Sequence, residues 1–237
     1  VWAGFDGSAT GVYFYDGEAW ARQAGTGPTC LESRNPGEVW AGGSLGRIYR
    51  LLFQSELRLD FSTYLGGNAA DTLYDVVLGS AGHVFVAGST LSTDFPLAHP
   101  YQSSWTEASE DCFIARFSSA GSALIYSSYF GGVGKDEAYA VAVDTLDYAY
   151  VTGRTASADF PTCGVWPDPA FQAAKAGDYD AFVIQFATSG SWLYYSTYLG
   201  GAEEDAGEEI GLDLYDAVIV GSTCSSDFPT VSPYQAG

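Results

Sequence analysis

The sequence predicts an all-β protein made of repeated four-stranded units. Two observations carry that expectation. The motif Phe61-Ser-Thr-Tyr-Leu-Gly-Gly67 recurs as Tyr126–Gly132 and Tyr195–Gly201, so the serines at 62, 127 and 196 stand 65 and 69 residues apart. Within each interval lie four short β-type runs parted by Gly, Ser, Asp and Pro, without a 3.6-residue apolar period. Composition agrees, since 16% aromatic residues and 29 glycines supply sheet-forming side chains and frequent turns.

The runs follow in a fixed order. Each Gly-Gly motif leads into an acidic turn at Asp71, Asp136 or Asp205. An alternating segment comes next, at 73–78, 138–143 and 209–214, expected as the first strand of a unit. A short apolar run with Gly follows at 84–90, 149–155 and 217–223, then Asp-Phe-Pro at 94–96, 159–161 and 227–229. Residues 111–117 and 180–186 read as the third strand, and the next Gly-Gly motif closes the unit as the fourth.

Four strands per repeat fit the blade of a β-propeller, a unit that stacks radially on its neighbours. Blade strands are expected to run from innermost to outermost in chain order, with complete blades at roughly 29–65, 73–130 and 138–199 and partial ones at both ends. Four or five blades, closure by pairing C-terminal with N-terminal strands, or membership of a larger ring all stay open. The surplus length of the repeat sits in the connections 91–110 and 156–179, enlarged loops expected to form a binding face.

Taken together, Tyr-Ser-Thr-Tyr-Leu-Gly-Gly, the following Asp, Ala-Tyr-Val-Thr-Gly, Ser-x-Asp-Phe-Pro-Thr and Asp-Ala-Phe-Val resemble the bacterial SBBP β-propeller repeat over about residues 46–237. Three such repeats are read there, the last incomplete. Residues 1–45, with Val1-Trp-Ala-Gly-Phe and Glu38-Val-Trp-Ala-Gly-Gly43, instead resemble the short blades of two-component-regulator propellers, and the whole chain 1–237 is expected to be one domain. The resemblance implies a secreted or cell-surface bacterial propeller, and it carries no common catalytic residues.

Composition narrows the partners. Nine Lys and Arg against 29 Asp and Glu give a net charge of −20, which excludes nucleic acid and anionic membrane surfaces as partners. No run of 18 apolar residues is present, so no membrane insertion is expected. With 47% hydrophobic residues a sizeable core is available, and the chain is not a disordered acidic tail. Beginning at Val1 and lacking Met, it reads as a processed protein or a piece of a longer one.

Candidate site residues fall into three sets. The acids Glu203, Glu204, Asp205, Glu208 and Glu209, with Asp71 and Asp136 in equivalent loops, form an oxygen-rich face suited to Ca²⁺, and turn chemistry is the bland reading of each repeated Asp. In the enlarged loops, Tyr101, Trp105, Trp166 and His99 are ligand-binding candidates, because Trp and Tyr beside Asp suit sugar stacking. The repeated Phe95, Phe160 and Phe228 read as plugs and the Tyr64, Tyr129 and Tyr198 series as packing between blades. Cys163 and Cys224, in successive Asp-Phe-Pro loops, are the candidate disulfide, while Cys112 reads as a small apolar core residue.

The functional expectation is an extracellular binding or structural module, not an enzyme, with a protein or glycan held at the long-loop face. A self-assembling filament or matrix subunit, joined through terminal part-blades, is the alternative. A glycan hydrolase is the third reading, for which no acid pair stands out.

Overall fold

In the computed structural model, described residues are 3–4, 11–15, 20–24, 28–32, 38–43, 47–53 and 57–233 apart from 106–108, 166–167 and 215, with side chains described from residue 61 onward. Every element among them is a β-strand, as expected. β1 (Ala3–Gly4), β2 (Gly11–Tyr15) and β3 (Trp20–Ala24) form an N-terminal sheet. Blade 1 is β4 (Pro28–Glu32), β5 (Glu38–Gly43), β6 (Arg47–Phe53) and β7 (Leu57–Tyr64). Blade 2 is β8 (Asp71–Leu78), β9 (Val84–Thr90), β10 (Asp111–Phe117) and β11 (Leu124–Phe130). Blade 3 is β12 (Asp136–Val143), β13 (Ala149–Thr155), β14 (Asp180–Phe186) and β15 (Leu193–Leu199). A hairpin, β16 (Asp205–Asp213) and β17 (Asp216–Thr223), ends the described chain.

Each blade is an antiparallel meander in chain order, which is the propeller blade read from the repeat. The first strand of each unit packs across the inner strands of the one before: β8 on β4 and β5, β12 on β8, β9 and β10, β16 on β12, β13 and β14. Blade 2 is therefore covered on both faces, and every residue of β9 and β10 is buried. Phe85, Ala87, Cys112, Ile114, Tyr126 and Phe130 meet Phe160, Phe182, Ile184 and Phe186 of blade 3, and Cys112 packs there as the small apolar group expected. On the far face of blade 3, Ala140, Ala142, Tyr150 and Val183 receive Ile210 of the hairpin. Burial of this kind, about 25 cal/mol for each Å² of apolar surface, is the main force holding blade to blade.

Among the described residues no ladder joins β16 and β17 to the N-terminal sheet, so the strand pairing offered for ring closure is not formed there. Among the described residues the hairpin stands as a two-stranded sheet.

One irregularity recurs in all three units. The pairing of first and second strands shifts by one residue between Leu73 and Asp75, between Ala138 and Ala140, and between Gly207 and Glu209. The bulge throws Tyr74, Tyr139 and Glu208 out of the ladder at the same level. It also drives the first-strand backbone toward the second strand, where the repeat places Gly88, Gly153 and Gly221. A Cβ at Gly153 would lie 1.9 Å from the Glu137 carbonyl oxygen, so no larger residue fits without moving the backbone.

At the opposite end of the blades a buried charge network crosses from blade 2 to blade 3. Asp147 accepts from the Ser80 N–H at 2.8 Å and the Ser80 hydroxyl at 3.1 Å, and pairs with the guanidinium of Arg116. Arg116 also donates to the Thr188 carbonyl at 3.0 Å and lies over the Phe85 ring. Burial would raise the Asp147 carboxyl, but Ser80 and Arg116 hold it below its ordinary value. These bonds fix Asp147 in the left-handed region at φ 67°. His83 joins the same network, 3.3 Å from Asp147.

Gly153→Ala should destabilise the protein by about 3 kcal/mol, the upper part of the range for overpacking. Gly211→Ala, where an added Cβ meets nothing within 4 Å, is the control. Urea unfolding of the two variants checks this, and equal midpoints would refute the bulge constraint.

Candidate binding face

The loops between units begin with Gly-Gly because two carboxylates close on their backbone. Gly67, Gly132 and Gly201 donate their N–H groups to Asp71, Asp136 and Asp205 Oδ2 at 2.9, 2.8 and 2.7 Å. The next residue donates to the Asp of Asp-Phe-Pro: Asn68 to Asp94 at 2.8 Å, Val133 to Asp159 at 3.0 Å, Ala202 to Asp227 at 2.9 Å. Ser92, Ser157 and Ser225 complete the clamp. Each hydroxyl accepts from the third loop N–H, of Ala69, Gly134 or Glu203, and donates to the first carboxylate. A Cβ at Gly67 would stand 2.3 Å from Asp94 Oδ1, which is why the motif repeats its glycines.

Turn chemistry thus accounts for the repeated acids, and they face one end of the blades together, as read from the sequence. The seven acids expected to share Ca²⁺ do not form one site. Asp71, Asp136 and Asp205 are buried and bound to backbone, each in its own loop. Glu208 accepts from the Ser222 hydroxyl, while Glu209 lines a separate cavity with Asp75 and Ile210. Among the described residues no three His, Cys, Asp or Glu side chains are grouped to hold a metal ion.

The enlarged loops do not stand out as free fingers. Each lies along the outermost strand of its own blade: Ala98 bridges Ser127, Gln102 bridges Tyr129, and Cys163 bridges Ser196. Gln102 and Gln172 pin them. Each glutamine accepts from the Gly that follows its fourth strand, Gly131 or Gly200, and donates to the Asp that opens its third, Asp111 or Asp180. Phe95 and Phe160 are buried plugs, stacked on Phe113 and Phe182. Tyr129 and Tyr198 pack under these plugs within their own blades, donating to the Ser92 and Ser157 carbonyls, whereas Tyr64 is 71% exposed.

The loop residues expected to bind ligand are therefore dispersed. Trp105 is half-buried and donates to the Ser109 carbonyl at 2.9 Å. Tyr101 sets its ring edge-on to Phe186, and His99 is exposed at φ 47°. Trp166 lies outside the described residues. Cys163 and Cys224 are both free thiols, so the expected disulfide is not formed. Cys163 is held to outermost β15 through Ser196, while Cys224 follows β17 near the inner edge of the face.

What the sequence reading missed lies in the grooves between units. Between blades 2 and 3, Lys135 Nζ sits 2.7 Å from Glu110 Oε2 and 3.1 Å from Glu137 Oε1. Tyr74 and Tyr139, the bulge residues, meet edge to face at 5.2 Å and both donate to Glu137. Arg154 binds Glu137 at 2.6 Å and stacks over Tyr179 at 4.6 Å. Although burial opposes its charge, the Glu137 carboxyl is held below its usual value by Arg154 and Lys135. Between blade 3 and the hairpin the equivalent groove is an open cavity of about 150 Å³.

Residues 125–161 match the family model described as SBBP, a β-propeller repeat. Over 176 residues, 73% of the chain, the sequence is 30% identical to a regulatory protein, FlaEY, of Caulobacter vibrioides. The chain spans only 17% of that relative's length.

Burial pushes the Asp136 carboxyl up to about 6 against an ordinary 3.8, with Thr155, Gly132 and Ser157 pulling the other way. A raised acid favours the folded state when protonated, so its contribution is complete below the unfolded value and is lost as pH rises through the folded one. The loss amounts to about 3 kcal/mol. Asp136→Asn should remove it, so that the variant gains stability relative to wild type between pH 4 and pH 7 in urea titrations. Parallel pH profiles would overturn this.

Proposed function

We propose that this chain, a β-propeller of SBBP-type repeats, is a binding and structural module of a secreted or surface-exposed bacterial protein, and that its ligand is another protein held on the long-loop face. The observation that carries the reading is the pairing state of that face. Its repeated acids are consumed by turn backbone, whereas the groove beside the terminal hairpin keeps exposed carboxylates next to tyrosines. Half-buried tyrosine and exposed charge around a concavity suit recognition of a protein surface. Likeness to a protein described as regulatory also supports a role exercised through partners. Extracellular placement rests on the resemblance of the repeat.

Parallel peptide and glycan arrays, with a hydrolysis screen on chromogenic glycosides, test the proposal. Saturable binding to peptides with none to glycans is expected. Binding to glycans alone would replace the ligand class, and release of reducing sugar would replace the module with an enzyme.

A further inference from the structure

Blade 1 is built without the long loop that covers the outermost strand in blades 2 and 3. In those two blades the connection from second to third strand crosses to the fourth and pairs with it. Ala98 exchanges N–H and carbonyl with Ser127 at 3.2 and 2.7 Å, and Cys163 does so with Ser196 at 3.0 and 2.8 Å. In blade 1 the same connection comprises only residues 44–46, between β5 and β6. From Gly43 to Arg47 the chain reaches roughly 14 Å. The route past β6 to the far side of β7 and back is roughly 24 Å, at about 4.8 Å per strand.

The exposures record the difference. Ser127 and Ser196 are fully buried, and Tyr129 and Tyr198 are 1% exposed. Their equivalents in blade 1, Ser62 and Tyr64, are both exposed, Tyr64 at 71%. Gly131 and Gly200 are buried and donate their N–H groups to Gln102 and Gln172. Gly66 at the same post is exposed and borders a cavity of about 350 Å³ with Tyr64, Leu65 and Asp71.

The receiving groups are nevertheless set as in the other blades. Ser62 stands opposite Tyr49 of the third strand as Ser127 stands opposite Ala115, so the outer edge has the same phase. Thr63 Oγ1 donates to the Tyr64 carbonyl at 3.2 Å, as Ser128 does to Tyr129 and Thr197 to Tyr198. In blades 2 and 3 that posture leaves the hydroxyl oxygen to accept the N–H of Gln102 or Gln172, at 2.9 and 2.8 Å. Arg47 is in register with Tyr64 where Phe113 and Phe182 are with Tyr129 and Tyr198. A cation at that post suits an aromatic occupant as a ring does.

We propose that the outer edge of β7 at Ser62–Gly66 takes an extended segment of a partner protein as a fifth strand of blade 1. The segment carries Phe-Pro followed by Gln, the residues with which the loops of blades 2 and 3 cover their own edges. An exposed strand edge is a template for such main-chain pairing. Residues 228–235 repeat the Phe-Pro-x-x-x-Pro-Tyr-Gln pattern of 95–102, but a net charge of −20 on each copy opposes a second copy as the source. The inference rests on the reading of the chain as a protein-binding module and gives it a further place and mode of contact.

The probe is the peptide Asp-Phe-Pro-Leu-Ala-His-Pro-Tyr-Gln-Ser, the sequence of residues 94–103. It is titrated into the ¹⁵N-labelled chain beside the same peptide N-methylated at its Ala, which cannot donate to the Ser62 carbonyl. Saturable shifts of the Ser62, Thr63, Tyr64 and Gly66 amides are expected with the unmodified peptide only. Ser62→Pro removes the outward N–H at an edge position, where proline is tolerated, and should abolish binding. Tyr64→Ala, at an exposed position, should weaken it roughly tenfold and decides the matter if a melting curve shows Ser62→Pro unfolded. Equal response to the methylated peptide, shifts confined to other blades, or no saturable shift would overturn the proposal. Concentration-dependent self-association that the peptide disperses would overturn it too, by making a second copy the occupant. Array peptides that bind wild type and Ser62→Pro alike, with no shift in β7, would sink the edge site and leave the binding module standing. Arrays without any bound peptide would sink the module reading, while the titration still decides the edge.

Discussion

The structure depends on one carboxylate clamp, repeated three times. A buried Asp at the start of each unit takes the N–H of the second glycine in the preceding Gly-Gly turn, and a Ser and a second Asp take the next two. Three consecutive loop donors are thereby satisfied without a strand partner, a requirement that buried backbone imposes. The clamp also fixes how one unit hands over to the next. The turn leaves the outermost strand of one blade and must deliver the chain to the innermost strand of the following one, and the carboxylate holds both ends of that passage.

With the handover fixed, apolar burial sets the stacking and polar contacts fill what remains. The long loops serve the blades before they serve any ligand, since they lie on the outermost strands and cover edges that would otherwise pair with other chains. Inner edges are protected differently: Asp75 accepts from the Val141 N–H of the next unit at 2.8 Å. The nine cations of a chain carrying 29 acids are therefore informative where they occur. Arg116 binds at one end of the blade pair and Lys135 with Arg154 at the other, each joining residues from two strands or two units.

Much of this was legible in the sequence because repetition averages away local ambiguity. Strand order, blade bounds to within a residue or two and the plug role of Phe95 and Phe160 all follow from aligning the units. The turn role of Asp71, Asp136 and Asp205 was readable for the same reason, although the acidic look of 203–209 drew attention to a metal instead. Gln102 and Gln172 were also readable, since Tyr101-Gln, Phe171-Gln and Tyr234-Gln recur, but polar pairs inside a loop carry no periodic signal. The free state of Cys163 and Cys224 depends on radial position, which spacing does not encode. The Asp147–Arg116 pair joins non-repeated residues on different blades, so no alignment reveals it.

The bulge in each first strand has an evolutionary corollary. Its shape is dictated by a carbonyl meeting a glycine, a contact between main chains, and not by the residue it ejects. Tyr74, Tyr139 and Glu208 hold the same post with different chemistry, and the ladder around them keeps the same shift. A position whose geometry is guaranteed by its neighbours can mutate without endangering the scaffold. Duplicated units could thus diversify the rim one residue at a time, leaving three near-identical frames to carry three different surfaces.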